Sequence, residues 1–407
     1  MLLPPSIDEL IEANHLVRTV NTVIDQVDIS TLQQAYKGGG TSSYHPRMLL
    51  KVLVYSYLCN TYSSRKIEEG VKSNIHFMWL AGMQQPDHNT INRFRGERLK
   101  EGLKTIFGQV VQLLSQSGHL SLKEIYTDGT KIEANANRYT FVWGNSIKYN
   151  KAKMEAQLQE LWAYTESIAT EELKDTAPIE FKEITPEALT KTIEKIQAVL
   201  KDKKEVTSKV KQKVNYMKRE WPKNLAKYKE QQEVLQSRNS YSRTDTEATF
   251  MRMKEDHMRN GQLKPAYNLQ VSSSNQFIVN YSLHQNPTDT RTLKTHLQSY
   301  QNLYKQNPDS ITADAGYGSE ENYNTLGKEN IDAYIKYNYF DKEQSKNFLK
   351  ENYHADYLTY DKESDTLFCL SGKPMHNVGV TNRKNQSGNH QQYTKYKAVN
   401  CVGCDLR

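Results

Sequence analysis

The 407-residue chain is long enough for two or three domains with proper cores, and with four cysteines it is not a small disulfide-stapled module. Its formal net charge of +7 favours a polyanionic partner, while 26 tyrosines and 25% charged residues indicate folded, polar-surfaced architecture rather than disorder. The N-terminus lacks a basic run followed by an apolar core, and no stretch approaches ~18 uninterrupted apolar residues, so a cytoplasmic protein without a membrane partner is expected.

Residues 1–120 read as helical, with breaks at Gly38–Gly40, Tyr62–Ser64 and Gln85–Asp87. The run after Pro46 places Leu49, Leu50, Leu53, Val54 and Leu58 on one helical face, and Cys59 beside it reads as a buried small hydrophobe. Ser63 or Ser64 caps a short helix carrying Ile67 and Val71, with Glu68 and Glu69 in its first turns, where the helix dipole favours acid. The segment after Asp87 begins another helix, with Ile91 and Phe94 inward and Asn92, Arg93, Arg95 and Arg98 on its other faces. Short helices ending in one rich in Arg, Asn and Thr suit a helix-turn-helix-like DNA reader, and they equally suit a helical bundle with a basic surface. Arg65, Asn89, Thr90, Asn92, Arg93 and Arg95 are the candidate DNA contacts.

From residue 147 to 240, Gly and Pro become scarce and apolar residues recur at helical spacing. Met154, Leu158 and Leu161 form one stripe, and a second runs through Leu189, Ile193, Ile196 and Leu200, then Val206, Val210, Val214 and Met217. With a break near Asp175–Pro178 and a helix start at Thr185-Pro186, the spacing predicts a long helical hairpin. Its second arm carries Lys201, Lys203, Lys204, Lys209, Lys211, Lys213 and Lys218, a pattern that more often solvates a helix than follows a phosphate backbone. Strand signals return after Tyr241: residues 265–283 predict a β-hairpin around a Ser-Asn turn, and Thr288-Asp289 caps a helix through Leu293, Leu297 and Tyr300. Ser310–Ala313 then reads as a strand, Glu320–Lys328 as a helix and Ile331–Tyr337 as another strand.

Two segments carry the chemistry: Ile125-Tyr-Thr-Asp128-Gly-Thr-Lys-Ile-Glu-Ala-Asn-Ala-Asn137 and Ile311-Thr-Ala-Asp314-Ala-Gly-Tyr-Gly318. Each sets an aspartate after a short apolar or β-branched run and directly before glycine-bearing turn chemistry, which presents a carboxylate at or near a strand end. Two carboxylates so placed can share divalent metal, as polynucleotidyl transfer requires. Taken singly, each aspartate reads more readily as structural, Asp128 as a turn-initiating residue before glycine and Asp314 as a strand-end residue before a turn.

Eight segments in order carry a family resemblance: Tyr44–Lys51, Ser63–Glu69, Phe77–Gly82, Pro86–Arg95, Asp128–Asn137, Thr244–Ala248, Tyr267–Gln270 and Asp314–Gly318. They resemble the DDE transposases of bacterial insertion sequences that join an InsH-type N-terminal domain to an RNase H-like catalytic domain. The resemblance implies an α+β or α/β fold: a helical DNA-binding domain (1–120), an RNase H-like core (121–146 and 241–340), an inserted helical coiled-coil hairpin (147–240) and a Cys-containing, zinc-ribbon-like segment (341–407). It implies that Asp128 and Asp314 are the first two members of a catalytic triad holding Mg²⁺ or Mn²⁺. It also implies double-stranded DNA as partner, at element ends and target, a homodimer for synapsis, and a nucleoid-associated location.

The third acidic ligand of such enzymes is a helical glutamate well downstream, and no matching segment follows Asp314; Glu320 and Glu321 read instead as first-turn helix acids. A truncated, catalytically incomplete transposase is therefore expected. A DNA-binding remnant without catalysis and an RNase H-like metal-dependent nuclease stand as alternatives. Cys369, Cys401 and Cys404 resemble the family's C…C-x-x-C arrangement and suit Zn²⁺, which takes a fourth ligand; His376 is one candidate and equally a loop histidine.

Overall fold

The computed structural model describes residues 6–34, 36, 44–169, 185–201, 203, 206–253, 261–344, 358–384 and 390–402. The expected breaks at Gly38–Gly40 and Asp175–Pro178, together with Lys204 and Cys404, lie outside these residues.

Among the described residues, seven helices come first: α1 (Leu16–Gln26), α2 (Ser30–Gln34), α3 (Pro46–Leu58), α4 (Ser64–Ser73), α5 (Ile75–Leu80), α6 (His88–Arg93) and α7 (Leu103–Gln116). Short helices are marginal alone, so these are held by one shared core that includes Val17, Ile24, Leu32, Leu50, Ile67, Phe77, Ile91 and Phe94. Leu49, Leu50 and Leu53 enter it as expected, but Leu58 is 52% exposed. Cys59, read from the sequence as buried, is likewise exposed, because it sits past the last turn of α3 as its C-cap. The α3 C-terminus thus runs out of neighbours before its apolar sequence runs out. Between α6 and α7 the chain makes a π-helical turn at Phe94–Arg98.

Next come β1 (Glu124–Glu133), β2 (Phe141–Trp143), α8 (Gly144–Ile168), α9 (Pro186–Lys201), α10 (Ser208–Leu235), β3 (Ser240–Ser242), β4 (Thr249–Arg252), β5 (Leu263–Ser274) and β6 (Phe277–His284). Among the described residues, three helices, α8 to α10, lie between the paired strands β2 and β3 where the spacing suggested a two-armed hairpin. Both predicted stripes contribute to one core through Leu158, Leu161, Leu189, Ile193, Ile196, Leu200, Val214 and Met217, with Trp162 and Trp221 added. α9 begins as expected, with the Ala188 N–H donating to Thr185 Oγ1 at 3.2 Å, and Pro222 is accommodated inside α10.

The remaining elements are α11 (Leu293–Tyr304), β7 (Ser310–Ala313), α12 (Glu320–Lys328), β8 (Asp332–Ile335), α13 (Phe340–Glu343), β9 (Thr359–Asp361), β10 (Thr366–Phe368), β11 (Pro374–Lys384) and β12 (His390–Ala398). The main sheet has the order β4-β5-β1-β7-β8, with β6 also paired to β5. It is mixed: β4 is antiparallel to β5, whereas β7 is parallel to both β1 and β8. The β5–β6 hairpin turns at Asn275 and Gln276, both at positive φ (48° and 69°), one residue beyond the expected Ser-Asn. Asp289 opens a 3₁₀ turn, Asp289–Arg291, rather than α11 itself. A separate antiparallel sheet, β9-β10-β11-β12, bends at an irregularity between Asn377 and Gly379, and Gly379 has φ 116°, a conformation that suits glycine.

The chain divides into two compact units. One holds residues 1–128, 271–281 and 293–407, and the other residues 129–270 and 282–292. The first has, besides its N-terminal core, a core over one face of the sheet from Ile125, Val279, Leu297, Tyr300, Ile311, Tyr317 and Leu326. These positions fit crossover helices α11 and α12 packed on parallel strands.

Candidate active site

Along β1 the residues alternate: Ile125 and Thr127 are buried, whereas Glu124, Tyr126 and Asp128 are exposed. β7 pairs in parallel with β1, Ile125 against Ile311 and Thr127 against Ala313. Asp128 follows Thr127 within β1 and Asp314 is the residue directly after β7, so each aspartate comes one position beyond the last paired residues, Thr127 and Ala313, on strands spaced about 4.8 Å apart. Both aspartates are exposed. Glu124 and Tyr126 of β1, Ser310 and Thr312 of β7, and Asp332 and Tyr334 of β8 line one open hollow of about 430 Å³, and the same alternation carries Asp128 and Asp314 to that face. Asp314 is extended (φ −74°, ψ 173°), and its carboxylate accepts the Gly316 N–H at 2.9 Å, capping the 3₁₀ turn Ala315–Tyr317.

The local setting of Asp128 differs from its sequence reading. β1 does not turn at Gly129; it continues five residues beyond Asp128, to Glu133. Gly129 serves close packing instead: a Cβ there would meet Gln270 Nε2 at 2.5 Å and Asp289 Oδ1 at 2.6 Å. Asp289 Oδ1 in turn accepts from Gln270 Nε2 (2.9 Å) and Asn268 Nδ2 (2.8 Å). These groups, with Ser272 and Ser274, were missed as structural residues. Their signal was present as small polar side chains at every second position of β5, all at most 3% exposed.

Glu133 and Glu320 have partners of their own. Glu133 lies below the usual carboxylate range because Lys264 hydrogen-bonds to it, with Arg138 adding its charge. Glu320 and Glu321 fall in the first turn of α12, as expected, behind the Ser319 cap, and Glu320 accepts from Gln391 at 2.6 Å. Among the described residues no group of three or more His, Cys, Asp or Glu is gathered as a metal site. Asp128 and Asp314 present carboxylate oxygens, the donor type that a hard divalent cation takes. Cys369 follows β10, its N–H donating to the Lys373 carbonyl, and Cys401 follows β12; both are free thiols. His376 lies in β11 opposite Thr366.

In the N-terminal helices, Asp87 caps α6 by accepting the Thr90 N–H at 2.8 Å. Arg65, Asn89, Asn92 and Arg93 are exposed and Thr90 is half-buried. Arg95 turns inward to the Tyr62 carbonyl (2.7 Å) and to Asn92 Oδ1 (3.1 Å). Glu68 joins α4 to α6, bridging Lys72 (2.6 Å) and His88 (2.7 Å), and these partners draw its pKa down to about 2.

The family comparisons agree with this architecture. A family described as "Transposase domain (DUF772)" matches residues 5–97, and one described as "Transposase DDE domain" matches residues 238–398. The chain belongs to the insertion-sequence DDE transposases. The first match covers α1 to α6, and the second runs from just before β3 to the end of β12, so the transposase's Asp314 falls within a matched segment and Asp128 lies between the two. No curated protein and no solved structure matches the transposase. Among its described residues no helix is long and apolar enough to cross a membrane.

Proposed function

We propose that this transposase binds duplex DNA through its N-terminal helices and holds Mg²⁺ or Mn²⁺ between Asp128 and Asp314, two of the three carboxylates that phosphoryl transfer at DNA ends uses. The observation that supports the reading is the parallel register of β1 with β7, whose last pair, Thr127 and Ala313, is followed on each side by an exposed aspartate. A divalent ion bound there would polarise a phosphoryl oxygen and stabilise the charge that develops in the displacement. The protein's own part is positional: β1 and β7 fix the spacing of the two carboxylates, and the Gly316 N–H holds that of Asp314. On the N-terminal helices, Arg65, Asn89, Thr90, Asn92 and Arg93 are the proposed DNA contacts, while Arg95 organises the turn that presents Asn92.

Two carboxylates are one fewer than this chemistry uses. With no third acid gathered among the described residues, the reading is that these two alone bind metal weakly and do not support strand transfer. The test is a gel shift with element-end DNA at graded salt, followed by a nicking assay with Mg²⁺ or Mn²⁺. Salt-sensitive binding that survives Asp128→Asn, with no nicking above that variant's level, is the expected pattern. Robust Asp128-dependent nicking would overturn the incompleteness, and absence of DNA affinity at low salt would overturn the reading itself. Synapsis of two DNA ends calls for a homodimer, and DNA binding for a nucleoid-associated protein. For Cys369, Cys401 and Cys404 the proposal is Zn²⁺ binding, which metal analysis finding well under one zinc per chain would remove.

A further inference from the structure

The residue before Asp128 is tied into a buried polar chain that the chemistry above does not use. Thr127 Oγ1 and Ser272 Oγ are 2.7 Å apart, and Ser272 Oγ lies 2.7 Å from His296 Nε2 on α11. Asn280 of β6 donates from Nδ2 to the His296 carbonyl at 3.0 Å, and its Oδ1 accepts from Lys104 Nζ of α7 at 3.0 Å. Thr127 is 3% exposed, His296 1%, and Ser272 and Asn280 0%. Such a row costs stability unless every member is paired, and apolar side chains would have filled the same layer without that risk. Hydrogen bonds do what apolar packing does not: they fix direction.

We infer that His296 is a positioning residue, which through Ser272 and Thr127 sets the pleat of β1 and hence the aim of the Asp128 carboxylate on the opposite face. Neighbouring strand residues point to opposite faces, so a rotation of Thr127 about the strand is transmitted directly to Asp128. α11, β5 and β1 are thereby linked by named atoms rather than by general packing. The inference rests on the reading of Asp128 as a metal ligand.

The test is Mn²⁺ binding to the purified full chain, followed by the electron paramagnetic resonance signal of the free ion. Binding lost in Asp128→Asn establishes the metal reading first. Thr127→Val and Ser272→Ala, which keep shape and remove a hydroxyl, together with His296→Leu, are expected to weaken Mn²⁺ about tenfold, the scale seen when outer groups that orient a ligand are removed. His296→Gln, whose amide reaches a similar distance, is expected to recover most of the loss. Leu50→Ala, in the N-terminal core, lowers melting temperature as a general destabiliser and should leave Mn²⁺ affinity unchanged. Asp128-dependent binding that is indifferent to Thr127→Val and Ser272→Ala would overturn the positioning role alone. Mn²⁺ binding unaffected by Asp128→Asn would overturn the metal reading, and the positioning role with it.

Discussion

Replacing Gly129 by alanine tests why β1 has a glycine beside Asp128. The added methyl would sit 2.5 Å from Gln270 Nε2 and 2.6 Å from Asp289 Oδ1, distances that real Cβ contacts do not show. Those two atoms hydrogen-bond to each other at 2.9 Å, so making room means parting them, and Gln270 is fully buried with nowhere to go. Overpacking costs about 1–3 kcal/mol. A hydrogen bond to a charged group adds about 1.5–3 kcal/mol, so a loss of roughly 2.5–6 kcal/mol is expected. Against total stabilities of about 5–15 kcal/mol, that is a large share. Urea unfolding of Gly129→Ala should show a lowered midpoint at unchanged slope, and Gly129→Ala/Gln270→Ala should lose less than the sum of its single variants, because the methyl then occupies vacated space. A Gly129→Ala midpoint within experimental error of the parent would refute the close-packing role of Gly129.

The Glu68 carboxyl, held at about 2 by Lys72 and His88 against an ordinary 4.5, contributes stability that is present above 4.5 and lost as the pH falls through its folded value. The melting gap between parent and Glu68→Gln should therefore close as the pH drops from 4.5 toward 2, and a gap that stays constant would contradict the bridge between α4 and α6. Burial lowers the Lys104 pKa to about 8 from 10.5, so between these values the unfolded chain binds the extra proton and stability rises with pH. Lys104→Met should lack that rise relative to the parent; parallel stability curves would refute it. Arg93→Ala should weaken DNA binding uniformly across sequences and reduce the logarithmic salt slope by about 0.9, one phosphate contact, whereas an unchanged slope would remove Arg93 from the interface.

Much of this architecture was legible because local chemistry and burial agree. Helix α12 carries its Ser319 cap and two first-turn acids, and β7 is a short run with apolar and β-branched residues in which Ile311 is buried. The stripes of the inserted helices fall in one core because their spacing follows the helix period. What was not legible depended on neighbours distant in sequence. Gly129 looks like a turn glycine until Gln270 and Asp289 are seen against it. Leu58 and Cys59 look buried until α3 is seen to outrun its neighbours. The sheet β9-β10-β11-β12 has no clear inward face to read, since Val378, Val380 and Tyr393 are all exposed. Of the site, both aspartates were visible as types in context, but the polar row from Asn268 to Ser274 behind them was not, because burying such residues makes sense only once their partners are known.

The central claim is that Asp128 and Asp314 hold the same ion. A double-mutant cycle on Mn²⁺ affinity with Asp128→Asn, Asp314→Asn and the pair decides it most directly. If the carboxylates share one ion, each single variant should lose nearly as much affinity as the double. Additive losses, or a loss on one strand only, would contradict the shared site.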